Sequence, residues 1–268
     1  MKRRKFIRDT ALAAGLVGTM PWLNVGRSAE HSNAPVWDLH VHRAPGFSME
    51  QLLEVGRQRQ VRFGVLEHPA PGPIKNDVDL MRYVKSLRQY PVLIGLQPMN
   101  LGWSKNFSPE ALAQVDYVLM DPQTLPVGNG EFMRIWQFDT YVEDNEQFME
   151  RYMAYSLEIL QKEPINIFGW PLFLPVCIAR DYYTLWTEDR MQQLISAAKK
   201  RDIAFEINDM AHTPHDKFIR MAKEQGIKFT FGSDSRNNNA GRLAYSKRVA
   251  AECGLVAEDF YLPAHKTG

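Results

Sequence analysis

Asp38-Leu39-His40-Val41-His42 places two imidazoles two residues apart at the end of an apolar run. Alternate residues of a strand face the same way, so His40 and His42 can point together. Further metal-capable side chains close other apolar runs: Glu67-His68, Asp121, Glu206-Ile207-Asn208-Asp209, and Gly232-Ser233-Asp234-Ser235-Arg236. Imidazole nitrogens mixed with carboxylate oxygens suit Zn²⁺, Mn²⁺ or Fe, which lower the pKa of bound water and polarise a scissile group. Glu67 and His68 are adjacent, so in a regular strand only one of them faces the site. Glu206 lies within its apolar run, where a buried carboxylate needs a partner, either an ion or a cation such as arginine. His212 and His215 flank a helix start and read as exposed first-turn residues.

A frame that brings those run-ends together is written along the chain. Short apolar runs recur at 36–39, 63–66, 91–96, 116–120, 165–168, 203–207 and 228–231, each followed by a helix-like segment. Near-continuous apolar runs are what strands covered on both faces require. Strand–helix alternation repeated seven times predicts an α/β fold, a distorted (β/α)7 TIM-like barrel, whose strand ends converge on one rim. An open doubly wound sheet is the competing architecture, although no glycine-rich phosphate loop follows any run. Ser48 is expected to cap a first helix, Thr213-Pro214 to start another that Gly226 closes, and Gly254 to stop a helix over 243–253.

The chain of 268 residues carries 32 Lys+Arg and 31 Asp+Glu, for a net charge of +1. That balance hides an asymmetry. Lys2, Arg3, Arg4, Lys5, Arg8 and Arg27 face one acid, Asp9, in the first 29 residues, leaving a body with 26 basic and 30 acidic residues. A mildly acidic body without a basic stripe argues against nucleic-acid partners. Cys177 and Cys253 exclude a disulfide framework or a zinc finger but leave one bridge open. Neither a nucleophile elbow nor a cysteine redox motif is present.

Residues 1–30 read as a twin-arginine-type signal peptide: a basic head, an apolar stretch from Ala11 to about Leu23, and small residues at Gly26, Ser28 and Ala29. Arg3-Arg4-Lys5-Phe6-Ile7 resembles the twin-arginine motif. The apolar stretch, interrupted by Gly15, Gly18 and Pro21, is too short for a stable membrane span. Expected partners are therefore the twin-arginine export machinery and a small, anionic substrate, with the protein periplasmic or secreted. The barrel domain is expected over residues 34–268.

Taken in order, these motifs resemble the PHP (polymerase and histidinol phosphatase) superfamily of metal-dependent phosphoesterases. Asp38-Leu39-His40-Val41-His42 is similar to its first motif and Leu66-Glu67-His68 to its second. Phe205-Glu206-Ile207-Asn208 is similar to its glutamate strand, and Gly232-Ser233-Asp234 with Gly241-Arg242-Leu243 to its last motif. The resemblance implies a distorted (β/α)7 barrel and ligand roles for His40, His42, His68 and Asp234. It also shows departures: Gln97 stands where a glutamate ligand is expected, Asp121-Pro122-Gln123 where a histidine is expected, Trp170 in a histidine's place, and Arg236 in the terminal histidine's place.

Glutamine is a weak neutral ligand and tryptophan cannot ligate, so a reduced, mononuclear site is expected in place of a trinuclear cluster. His40, His42, His68 and Asp234 are the expected ligands, with Glu206 or Asp121 contributing. Asp234, His68 and Arg236 are the expected catalytic residues, as water-activating base or ligand, proton donor, and anion-orienting cation. The expected activity is hydrolysis of a phosphate ester or another small anionic substrate. A barrel that only binds a ligand is the alternative, with Trp103, Trp136 and Trp170 as a floor for a cyclic ligand, and a metal-dependent isomerase or lyase is a third reading.

Overall fold

The computed structural model describes residues 36–264; the expected leader over residues 1–30 lies outside them. Seven parallel strands close into a barrel in the order β1 (Val36–His42), β2 (Val61–Glu67), β3 (Leu93–Leu96), β4 (Tyr117–Met120), β7 (Ile167–Phe168), β8 (Ala204–Asn208) and β9 (Phe229–Gly232). Closure is made by β9 pairing back onto β1, Asp38 opposite Phe231. The competing open sheet is thereby excluded. Each apolar run of the sequence contributes one barrel strand, because each is buried on both faces. β5 (Thr124–Gly128) and β6 (Glu131–Arg134) form a separate antiparallel hairpin after β4. Helices α1 (Met49–Arg59), α2 (Asp77–Leu87), α3 (Pro109–Leu112), α4 (Asn145–Lys162), α5 (Tyr182–Leu185), α6 (Glu188–Lys199), α7 (Asp216–Glu224) and α8 (Ala244–Glu252) complete the crossovers.

Two apolar regions hold this arrangement. The larger lies where strand residues such as Phe63, Val65, Ile94 and Phe205 meet helix residues such as Leu52, Leu80, Met149 and Ile195. The smaller is made of strand residues alone: Leu39, Leu66, Leu93, Tyr117, Leu119, Ile167 and Ala204. It fills the barrel interior. Tyr117 crosses this interior, with its hydroxyl donating to the Leu39 carbonyl at 2.7 Å. Each fully buried leucine there contributes roughly 1.5–3 kcal/mol.

The helix ends follow local chemistry. Ser48 caps α1, as the sequence predicts, and Gln51 reciprocates to complete a capping box. The expected start at Thr213-Pro214 is corrected: α7 begins at Asp216, and His215 is its cap, with Nδ1 accepting from the Phe218 amide at 3.2 Å. His215 is buried against Tyr183, on which it stacks with ring centroids 5.4 Å apart, and Tyr182, so the expectation that it is an exposed first-turn residue also fails. His212 is exposed and stacks on Tyr245. The possible bridge is absent, since Cys177 and Cys253 are both free. Trp103 and Trp170 are buried while Trp136 is partly exposed, so the three do not form one open aromatic floor. Among the described residues, no helix is long and apolar enough to cross a membrane.

Candidate metal centre

β1 is irregular where it carries the chemistry. Its register against β2 shifts between Asp38 and Val41, and the Asp38 carboxylate accepts the His40 amide at 3.2 Å. The same carboxylate accepts the Ser233 amide at 2.9 Å and the Gly241 amide at 2.8 Å. One buried side chain therefore ties β1 to both ends of the loop that follows β9. Burial raises Asp38 from 3.8 to about 6, against the lowering effect of these bonds. On that loop Asp234 adopts a left-handed backbone with φ of 47°, a conformation that aspartate accepts more readily than most residues.

The turn brings Asp234 to the histidine pair. Its Oδ1 lies 3.4 Å from Nε2 of both His40 and His42. Both Nε2 atoms are buried and make no hydrogen bond. One ligand atom from each of the three residues lies within 4.8 Å of the other two. Two unsatisfied imidazole nitrogens and a carboxylate oxygen around one point are the donor set that a mixed nitrogen–oxygen metal site requires, so the residues fit a divalent ion.

Glu206 takes the position behind His40. Its Oε1 is 2.6 Å from His40 Nδ1 and accepts from Asn208 Nδ2 at 3.2 Å, while Oε2 accepts the Trp170 amide at 2.9 Å. A proton on Nδ1 leaves the Nε2 lone pair facing Asp234. Gly232 and Gly169 make room for this carboxylate: a Cβ at Gly232 would collide with Glu206 Oε1 and approach His40 Cβ to 2.7 Å, and one at Gly169 would meet Leu119 Cδ2 at 2.6 Å. With both oxygens engaged, Glu206 is not in the converging triad, and strand alternation alone did not reveal this orienting position.

Electrostatics favour a cation at this point. Burial opposes charge on His40, but Asp234 and Glu206 outweigh it and push the imidazole up to about 10. Burial wins at His42 and pushes it down to about 3. Asp234 is held well below its usual range: burial would raise it, but His40, His42 and Arg236 prevail. Either a proton on His40 or a metal at Nε2 answers the two carboxylates that face this ring.

His68 stacks on His42, with ring centroids 5.0 Å apart, and donates Nδ1–H to the Gln97 carbonyl at 2.8 Å. Burial lowers its pKa and favours the neutral ring. It borders the triad without belonging to it. Arg236 donates to Asp234 Oδ1 at 2.9 Å and its side chain is 49% exposed. Asp121, raised by the sequence as a further ligand, accepts from Gln97 Nε2 at 2.7 Å and from the Gln123 amide at 3.0 Å. Two of the sequence's departures are thus partners of one another.

Burial also raises Asp121 from 3.8 to about 6, against those two hydrogen bonds. A raised carboxyl pKa means that the folded state binds the proton more tightly, so this group costs stability at neutral pH. The cost is relieved as pH falls through 6 toward 3.8. Gln97 Oε1 has no hydrogen-bond partner, so a flipped Gln97 amide can accept from an asparagine. Asp121→Asn is therefore expected to be more stable than wild type at pH 7 by up to ~3 kcal/mol, with the difference vanishing near pH 4. Urea unfolding at both pH values checks this, and a constant difference would refute it.

Fold and site together define a parallel α/β barrel with a buried His–His–Asp centre at its rim. No family model matches the chain, and no curated protein matches it. Among solved structures, a chain of archaeal ribonuclease P with mature tRNA shares 9% identity over 85% of this chain and 98% of its own, with a TM-score of 0.41. A citrate synthase variant shares 12% over 82% and 95%, at 0.39. A triazine hydrolase variant shares 15% over 82% of this chain and 48% of its own, at 0.34. At these scores the likenesses carry no functional argument.

Proposed function

We propose that this protein is a metal-dependent hydrolase with a single-ion site, related to the PHP superfamily and acting on a phosphate ester or another small anionic substrate. The observation that carries the reading is the pair of buried, hydrogen-bond-free Nε2 atoms of His40 and His42 facing one Asp234 oxygen. His40, His42 and Asp234 would hold the ion, and Glu206 would fix the His40 tautomer. When bound, the ion supplies a water of lowered pKa and polarises the scissile bond.

The remaining roles belong to side chains. His68, with Nδ1–H committed to the Gln97 carbonyl, keeps Nε2 for taking a proton and returning it to the leaving group. Arg236 offers its exposed guanidinium to an anionic group while steadying Asp234. The test is turnover of phosphate esters, lactones and amides by protein loaded with Zn²⁺, Mn²⁺ or Fe²⁺. Activity lost in His68→Ala with metal content retained supports the roles given, whereas no turnover of any substrate class sinks the hydrolase reading.

A second reading draws on the Arg236–Asp234 pair, in which a guanidinium neutralises the carboxylate as a metal would. On that reading the barrel binds a ligand without catalysis and holds no ion. The proposal also includes export as a folded protein through the twin-arginine machinery, resting on Arg3-Arg4-Lys5-Phe6-Ile7. Fractionation of cells carrying Arg3→Lys with Arg4→Lys should find the protein retained in the cytoplasm, and continued export would remove that part.

A further inference from the structure

The loop after β9 does more than carry Asp234. Together with Asp209 and Met210 after β8, it borders an open cavity of about 430 Å³ whose wall includes Asp234, Arg236, Asn239 and Arg242. That volume lies in the range of small-molecule sites. We infer that this cavity is an anion subsite in which Arg236 and Arg242 hold a carboxylate or phosphate group of the substrate beside the metal centre; the word substrate rests on the hydrolase reading above.

Three observations support it. The first is charge that the fold leaves uncommitted. The Arg242 side chain is exposed, and its guanidinium has no hydrogen bond or carboxylate partner among the described residues, while its backbone amide donates to the Asn239 carbonyl at 2.9 Å. The acids of the cavity are already engaged: Asp209 accepts the Ser246 amide at 2.9 Å, and Asp234 faces Arg236 and the two histidines. Arg59 adds positive charge behind the loop, donating to the Asn238 carbonyl at 2.8 Å, and burial together with Arg242 lowers its pKa. A guanidinium without a partner at a cavity wall presents a rigid fork of donors matched to carboxylate or phosphate oxygens.

The second is preorganisation. Asp38 holds the amides of Ser233 and Gly241, at the two ends of the segment that carries Arg236, Asn237 and Asn239. Within it, Asn237 Oδ1 accepts the Asn239 amide at 2.9 Å and Ser235 Oγ donates to the Asn237 carbonyl at 3.2 Å. A loop so tied loses little freedom when an anion enters. The third is position. Asp234 lines the cavity and belongs to the triad, so an anion held there lies next to the point where the ion would sit. Met210, 55% exposed, supplies an apolar wall for the uncharged part of the molecule.

The experiment is calorimetric titration of inorganic phosphate, and separately of acetate, into metal-treated wild type, Arg242→Ala and Arg242→Lys, with metal content measured on each. Arg242→Ala is expected to bind the preferred anion on the order of 10–100-fold more weakly, the loss of a charge-assisted contact, with metal content unchanged. Arg242→Lys, which keeps the charge without the fork, should fall between them. Phosphate preferred over acetate assigns a phosphoryl group to the subsite, and the reverse assigns a carboxylate. Equal affinities in wild type and Arg242→Ala overturn the inference, as does a wild type that binds neither anion. Thermal unfolding of Arg242→Ala should match wild type, because the side chain is exposed. Arg242-dependent anion binding by a protein without metal would sink the hydrolase reading alone; bound metal without that dependence would sink the subsite alone.

Discussion

Asp234→Ala is expected to abolish stoichiometric metal binding and, with it, the hydrolytic turnover we propose. Only Asp234 brings an oxygen to the two histidine nitrogens, at 3.4 Å from each, within the converging triad. Without it, two imidazoles on one strand remain, short of the three protein ligands that an open catalytic site uses. The loss should exceed the roughly 10–100-fold in metal affinity that follows removal of an outer-shell partner. The fold should survive, since Asp234 stands on a loop that Asp38 ties independently through the Ser233 and Gly241 amides. Equilibrium dialysis with Zn²⁺ or Mn²⁺, beside circular dichroism, reads both halves. Wild-type stoichiometry in this variant would show that the ligands lie elsewhere.

Glu206→Ala is expected to act differently, lowering stability by about 3–5 kcal/mol while leaving a weakened site. Its carboxylate is fully buried and answers His40 Nδ1, Asn208 Nδ2 and the Trp170 amide. Truncation strands those donors and leaves a cavity between β7 and β9. The metal should bind roughly 10–100-fold more weakly, because the His40 ring loses the group that fixes its tautomer and orientation, yet saturation should still reach the wild-type stoichiometry. Chemical denaturation and metal titration of the one variant separate the two effects. Loss of the site at saturating metal would instead make Glu206 a ligand, as the sequence alone suggested.

That contrast shows what the sequence made legible. The seven buried runs predicted parallel strands because burial on both faces leaves an apolar signature; their number favoured a barrel over an open sheet, but closure itself came only with β9 pairing onto β1. His40, His42 and Asp234 were readable because strand ends converge and alternate residues share a face. Glu206 was visible as a buried carboxylate, but its partner was not, since alternation gives a side and leaves the neighbour across the barrel unspecified. The Asp38 tie depends on an irregularity in β1 and on amides of a loop 195 and 203 residues further along the chain, which no local pattern encodes. The burial of His215 rests on Tyr182 and Tyr183 of α5, which no pattern around the helix start encodes, whereas the β5–β6 hairpin does carry a local signal in the Gly128-Asn129-Gly130 turn.

The departures from the PHP pattern also acquire physical content. Gln97 donates Nε2–H to Asp121, and Trp170 lends its backbone amide to Glu206 while its ring is buried. These positions are engaged with one another or with Glu206, which accords with our proposal of a single ion held by the remaining three residues.

On the proposed reading, His40, His42 and Asp234 together hold one metal ion. Elemental analysis of protein purified without chelator, alongside His40→Ala and Asp234→Ala, tests it directly. Wild type is expected to carry about one transition metal per chain, and either variant none. A wild type that stays metal-free after reconstitution with Zn²⁺, Mn²⁺ and Fe²⁺, or variants that keep the full complement, would contradict it.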